Sequence, residues 1–168
     1  YFYMTFLSWP YRLSRISGDL EYFRHGTWRD GNSYAEVMTL LDLVCDSRED
    51  RYVTGRFCSM ESFGRMFHRD PLQNRKDPLA QRIQADTVGF CRACEAMGGS
   101  PIPGGDAAYS IPLFEKLSVG LVFWQGDEEF YPRLRYLWDE NALMYLKYET
   151  MYFALDLLLS RLKSHWPE

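Results

Sequence analysis

The sequence lacks an apolar run that could cross a bilayer. Its longest, Val119 to Trp124, falls far short of the ~20 residues a membrane helix needs. It also lacks a basic excess: 19 Lys and Arg stand against 23 Asp and Glu, for a formal charge of −4. Nucleic-acid binders carry a basic stripe, so neither nucleic acid nor a membrane is an expected partner. Cysteine is scarce, with four in 168 residues. That is too few for a disulfide scaffold and points to a reducing cytoplasm. The three histidines, His25, His68 and His165, have no ligand spacing. There is no nucleophile elbow, phosphate loop or dinucleotide fingerprint. The glycine-rich GGSPIPGGD has neither the lysine nor the spacing of a phosphate loop and reads as a connector. No secretory leader is visible, and Tyr1 opens inside the aromatic stretch YFYMTFL, so the expectation is an incomplete start.

What the sequence has is aromatic bulk. Phe, Trp and Tyr make up 17% of it, and apolar residues 46%, enough for a full core. The length suits one domain over residues 1–168. Tyr1 to Leu7 is β-prone, and WPYRLSRISGDLEYF reads as a hairpin turning at Ser17-Gly18-Asp19. Asn32 or Ser33 is the expected N-cap of a helix. Tyr34, Val37, Met38, Leu41, Val44 and Cys45 recur along it at three and four. Residues 48–76 are irregular, with a short strand expected in YVTGRFCSM and loop after it. Asp77-Pro78 has the chemistry of a helix start, and Gly98 that of a C-cap, which predicts one continuous helix over Pro78–Met97.

Strands follow at Ala107–Phe114, Ser118–Trp124 and Leu134–Trp138, then a helical turn in DENALMYLK. A last helix begins at Tyr148. Phe153 and Leu157 widen its apolar stripe, so it is buried on two sides or covers a partner. Strands grouped in runs predict an α+β fold: a largely antiparallel sheet covered by two or three amphipathic helices.

Two groups of residues carry the chemistry. Cys91 and Cys94 have a CxxC spacing, but near a helix C-terminus, where the dipole disfavours a thiolate. They read as buried packing residues. Joining them with Cys45 and Cys58 gives a four-thiolate metal alternative, though with no common finger spacing. The second group is acidic. Asp127, Glu128 and Glu129 follow a strand, Asp106 opens the strand pair, and Asp139 follows the third run. With Trp124 they form the candidate ligand-binding set. Such carboxylates can gather a divalent cation, serve as an acid/base pair, or cap turns. No residue is assigned a catalytic role, and no cofactor is assigned beyond that cation.

GDAAYSIPLFEKLSVGLVFWQGDEEF, then LWDENALMYL and the C-terminal helix, resemble a prokaryotic domain-of-unknown-function family, number thirty-seven eighty-six. FLSWPYRLSRISGDLEY, EVMTLLDLV, TGRFCSMESF and DPLAQRI…CEAMGG extend the resemblance over nearly the whole chain. RHGTWRDGNSY departs from the pattern, as does Trp138 where Phe is commoner. The resemblance implies anaerobic bacterial and archaeal relatives, some fused to an N-terminal iron–sulfur domain. A helix before the first strand is usual among them. It implies partners among iron–sulfur or corrinoid proteins, but no cluster here, since the four-cysteine motif is missing. The reading that results is a non-catalytic binding or accessory module tied to redox or corrinoid metabolism. The alternatives are a carboxylate enzyme at Asp127, Glu128 and Glu129, acting by metal-assisted hydrolysis or proton transfer, and a structural protein forming homodimers through the C-terminal helix.

Overall fold

The computed structural model describes residues 1–31, 33–64 and 76–166. The loop expected across 65–75, His68 and the Asn32 alternative for the N-cap lie outside the described residues. Strands β1 (Phe2–Phe6) and β2 (Trp9–Leu13) are joined by Leu7 and Ser8, whose φ values are +47° and +64°. Two left-handed residues match the twist of a tight hairpin. Leucine is a costly occupant of that conformation, so the rest of the fold must hold the turn. Strands β3 (Leu20–Arg24) and β4 (Thr27–Asp30) turn at His25-Gly26 in the same way. The four strands form a meander in the register Tyr3↔Arg12↔Glu21↔Asp30.

Helix α1 (Tyr34–Leu41) starts at Ser33, whose side chain accepts the Glu36 N–H, and runs on through a π turn at Asp42–Asp46. Strand β5 (Phe57–Ser59) follows, then helices α2 (Pro78–Ala85) and α3 (Thr87–Ala96) and the two-residue strand β6 (Ser100–Pro101). The long strands β7 (Ala107–Phe114), β8 (Leu117–Trp124) and β9 (Arg133–Asp139) come next. A helical turn at Ala142–Met144 leads into helix α4 (Tyr148–Ser164).

All the strands join one antiparallel nine-stranded sheet, in the order β4-β3-β2-β1-β7-β8-β9-β5, with β6 beside β7. The α+β expectation holds. The meander meets the rest at a narrow seam: the pair Phe6↔Phe114 and the Leu7 N–H donating to Leu113 O at 2.9 Å. The core contains Phe6, Tyr11, Phe90, Ile111, Phe123 and Trp138, together with the buried stripe of α4. Each such side chain contributes about 1.5–3 kcal/mol by leaving water.

Two details change. Strand β4 was not foreseen, and the described residues form four α-helices because one expected helix comes in two parts. The helix predicted over Pro78–Met97 is two helices, broken at Asp86, where φ is −144° and ψ 70°. The Asp86 carboxylate accepts the Gly89 N–H and the Trp166 Nε1–H, both at 2.8 Å. It caps α3 and ties the chain's last turn to it, a long-range bond invisible to local periodicity. Gly98 does end α3 in the left-handed region, with Gly99 N–H reaching Cys94 O at 2.8 Å. The breadth of the α4 stripe is explained by α1: Phe153 meets Tyr34 edge-on at 5.4 Å, and Leu157 is half-buried against the core. No helix among the described residues is long and apolar enough to cross a membrane.

Candidate functional site

β8 and β9 pair in unbroken register from Val119↔Trp138 to Trp124↔Arg133, so residues 125–132 project as one loop from a rigid ladder. The loop is itself tightly built. Gln125 N–H donates to Asp106 Oδ2 and Gly126 N–H to Gln84 Oε1 of α2, both at 2.7 Å. Asp127 N–H closes on Phe130 O at 2.9 Å, while Asp127 Oδ1 accepts the N–H groups of Glu129 and Phe130 at 2.8 Å. This is an Asx turn inside a hairpin connection. Gly126 fits because a Cβ there would lie 2.5 Å from Pro132 N.

The held loop presents apolar surface. Phe130 is 67% exposed and Tyr131 51%, and Trp124 at the base is partly exposed. Lys76 Nζ lies 5.7 Å from the Tyr131 ring, and the Arg135 guanidinium 5.9 Å from the Trp124 ring. Glu128 and Glu129 are exposed and form no ion pair with the described residues.

Of the residues singled out in the sequence, Asp106, Trp124, Asp127, Glu128 and Glu129 therefore share one end of the sheet. Asp139 is at the opposite end of β9, about 20 Å away at the rise of a strand. It is buried and accepts the N–H groups of Thr54 (3.0 Å), Gly55 (2.7 Å) and Asn141 (2.9 Å), which anchors the chain before β5. Among the described residues no three His, Cys, Asp or Glu side chains are grouped as a metal ion would need.

The cysteines are free thiols. Cys94 is wholly buried on α3, and burial pushes its pKa far up. Cys91 is half-buried one turn away, Cys58 lies in β5 and Cys45 is exposed on the π turn.

Sequence reasoning missed a buried ionic cluster. Arg161 donates from Nη1 to the carbonyls of Phe6 (2.9 Å) and Leu7 (3.0 Å), and from Nη2 to the Tyr11 hydroxyl. Tyr11 in turn donates to Glu36 Oε1 at 2.7 Å, which lies 3.7 Å from Arg161. The guanidinium stacks 3.8 Å above Trp9, whose ring also carries Arg24 at 4.0 Å. Burial raises the Tyr11 pKa and lowers that of Arg161. The signal was an arginine on the buried α4 stripe, three residues after Leu158 and seven after Ala154. Its partners hold the strained Leu7-Ser8 turn, which makes the cluster an architectural element. Ser8 contributes by donating to Met97 O at 3.1 Å.

No curated protein and no solved structure matches the chain. A family model does, over residues 2–161. The chain belongs to the family described as Domain of unknown function (DUF3786).

Proposed function

We propose that the protein is a non-catalytic binding module whose recognition element is the β8–β9 loop. The observation that carries this reading is the placement of Phe130, two-thirds exposed at the tip of a loop whose backbone is already hydrogen-bonded. An aromatic side chain on a fixed backbone can bind without first paying an ordering cost. Glu128 and Glu129 beside it favour a partner with an apolar pocket rimmed by Lys or Arg. Trp124 and Tyr131 extend the contact surface, while Asp106 and Asp127 shape the loop. The partner we favour is an iron–sulfur or corrinoid protein of anaerobic redox metabolism, on the strength of the family resemblance. The setting we favour is the cytoplasm, which suits four free thiols. The carboxylate-enzyme reading has less support, because Asp106 and Asp127 direct oxygens at backbone N–H groups and Asp139 is at the far end of its strand.

The test is affinity purification from extracts of the source cells with wild type, Phe130→Ala and the double variant Glu128→Lys/Glu129→Lys. Iron and cobalt in the retained fractions are measured alongside. A stoichiometric metalloprotein retained by wild type and lost from both variants, at unchanged thermal midpoint, is the expected result. Retention that is absent, or the same for all three proteins, overturns the proposal.

A further inference from the structure

The meander ends at β4, an outermost strand of the sheet that pairs with β3 alone. The turn before it decides which backbone groups face outward. His25 and Gly26 form a two-residue connection, so Arg24↔Thr27 is the first hydrogen-bonded pair, and bonded pairs alternate from there. Gly31 N–H donates to Leu20 O at 2.8 Å, in step with that alternation. Thr27, Arg29 and Gly31 therefore bond to β3, while the N–H and C=O groups of Trp28 and Asp30 point away from the sheet. Among the described residues, those groups have one bond, a long one from the Thr27 hydroxyl to Trp28 O at 3.3 Å. Edge strands are commonly blunted by proline, a bulge or lysine. Thr27-Trp28-Arg29-Asp30 has none of these and keeps unbroken register with β3.

The side chains specify what such an edge accepts. On one face, Arg12 holds Glu21 through bonds of 2.7 and 2.9 Å, and Glu21 lies directly opposite Asp30. Like charges in that position destabilise a strand pair. Asp30 is exposed and forms no ion pair with the described residues. A cation one strand spacing beyond it, ~4.8 Å, would balance the row. On the same face the Trp28 ring is fixed by the Arg12 guanidinium at 4.3 Å and by the Phe23 ring at 5.3 Å. Arg29 is exposed on the other face. We propose that β4 takes up an extended peptide as a further antiparallel strand. The peptide places Lys or Arg opposite Asp30, Asp or Glu opposite Arg29, and an aromatic side chain opposite Trp28. Backbone bonds to Trp28 and Asp30 supply affinity, and the alternating side chains supply selectivity. Antiparallel addition continues the pairing of the whole sheet and is the more stable kind per residue. A nucleic-acid strand, which aromatic surfaces also attract, would meet the carboxylates of Glu21 and Asp30.

Isothermal titration calorimetry of the full chain with a blocked heptapeptide centred on Lys-Glu-Phe tests the proposal. This peptide is expected to bind. One with the charges exchanged, centred on Glu-Lys-Phe, should bind about tenfold more weakly. Methylating the amides of its Lys and Phe, which face Asp30 and Trp28, should abolish binding. Methylating the Glu amide between them, which points away from β4, should leave the affinity within about threefold. The double variant Arg29→Asp/Asp30→Lys alters two exposed side chains, so the fold survives, as circular dichroism will verify, and it should invert the preference between the peptides. No binding of the first peptide to wild type at about 1 mM overturns the proposal. So does an affinity that is indifferent to which amide is methylated, or a charge preference that is absent or that the double variant leaves unchanged. Phe130→Ala leaves peptide affinity as it is, which keeps this result separate from that of the β8–β9 loop.

Discussion

Replacing Arg161 by Met tests what holds the first hairpin. Met keeps most of the aliphatic stem and removes the guanidinium. Two carbonyls, Phe6 O and Leu7 O, then lose donors at 2.9 and 3.0 Å in a region closed to water. An acceptor left buried without a partner costs about 1–3 kcal/mol. Glu36 loses a cation 3.7 Å away, and Trp9 loses a guanidinium stacked at 3.8 Å. Leu7 and Ser8, at φ +47° and +64°, lose the bonds that hold their conformation. Breaking one side of a buried pair costs about 3–5 kcal/mol, about a fifth or more of a typical domain stability. At about 2–4 °C per kcal/mol, the thermal midpoint should fall by roughly 6–20 °C. Urea unfolding followed by tryptophan fluorescence should show the same loss as a lower midpoint at constant slope. The reasoning is refuted if Arg161→Met lies within about 1 kcal/mol of wild type, or above it, as happens where buried ion pairs give way to apolar groups at no cost. A double-mutant cycle with Glu36→Gln apportions the remainder.

Two further perturbations follow from local geometry. The Asp42 carboxylate accepts the Lys147 N–H at 3.0 Å at the start of α4 and meets Lys147 Nζ at 3.2 Å. Burial alone would raise its pKa, but the Thr150 hydroxyl and Lys147 outweigh that and hold it below the ordinary carboxylate value. A depressed carboxylate stabilises above its unfolded pKa and loses that contribution as pH falls through the folded one. Asp42→Asn should therefore cost about 1 kcal/mol at pH 7, with the gap to wild type closing as pH falls below the ordinary carboxylate range in urea titrations. Gly105 is the other site. Its φ is +58°, and an added Cβ would lie 2.1 Å from Phe123 O, which accepts the Asp106 N–H. Gly105→Ala should destabilise by about 3 kcal/mol, whereas Gly55→Ala, at φ +76° with nothing within 4 Å, should cost only about 1. Equal effects would refute the steric argument.

The strands were legible because their alternation was local. Ala107–Phe114 and the run to Trp124 stood out as apolar on the buried face, and both hold to within a residue. Asp77-Pro78 and Ser33 were legible for the same reason, since a cap bonds N–H groups two or three residues away. What was lost depended on distant partners. Asp86 breaks the helix because Trp166 is there to receive it, 80 residues on. Strand β4 has an Asp and an Arg at its exposed edge and pairs only because His25-Gly26 turns it back onto β3. The π turn keeps Asp42 under α4, a constraint set by Lys147 and not by its own neighbours.

The acidic set shows why density in sequence is a poor guide to a site. Asp106, Asp127 and Asp139 looked alike as carboxylates near strand ends. Each is directed at a different set of backbone N–H groups, and Asp139 faces the other end of the sheet. A carboxylate whose oxygens accept backbone N–H groups is engaged in fixing a turn. The same bonds make the backbone rigid and leave neighbouring side chains to face solvent. The informative residue in QGDEEFYP is then Phe130, which the Asx turn at Asp127 holds outward although burial would be worth about 1.5–3 kcal/mol. Two hydrogen bonds between Asp127 and Phe130 that keep a phenylalanine in water are what the proposed recognition role of this loop would account for.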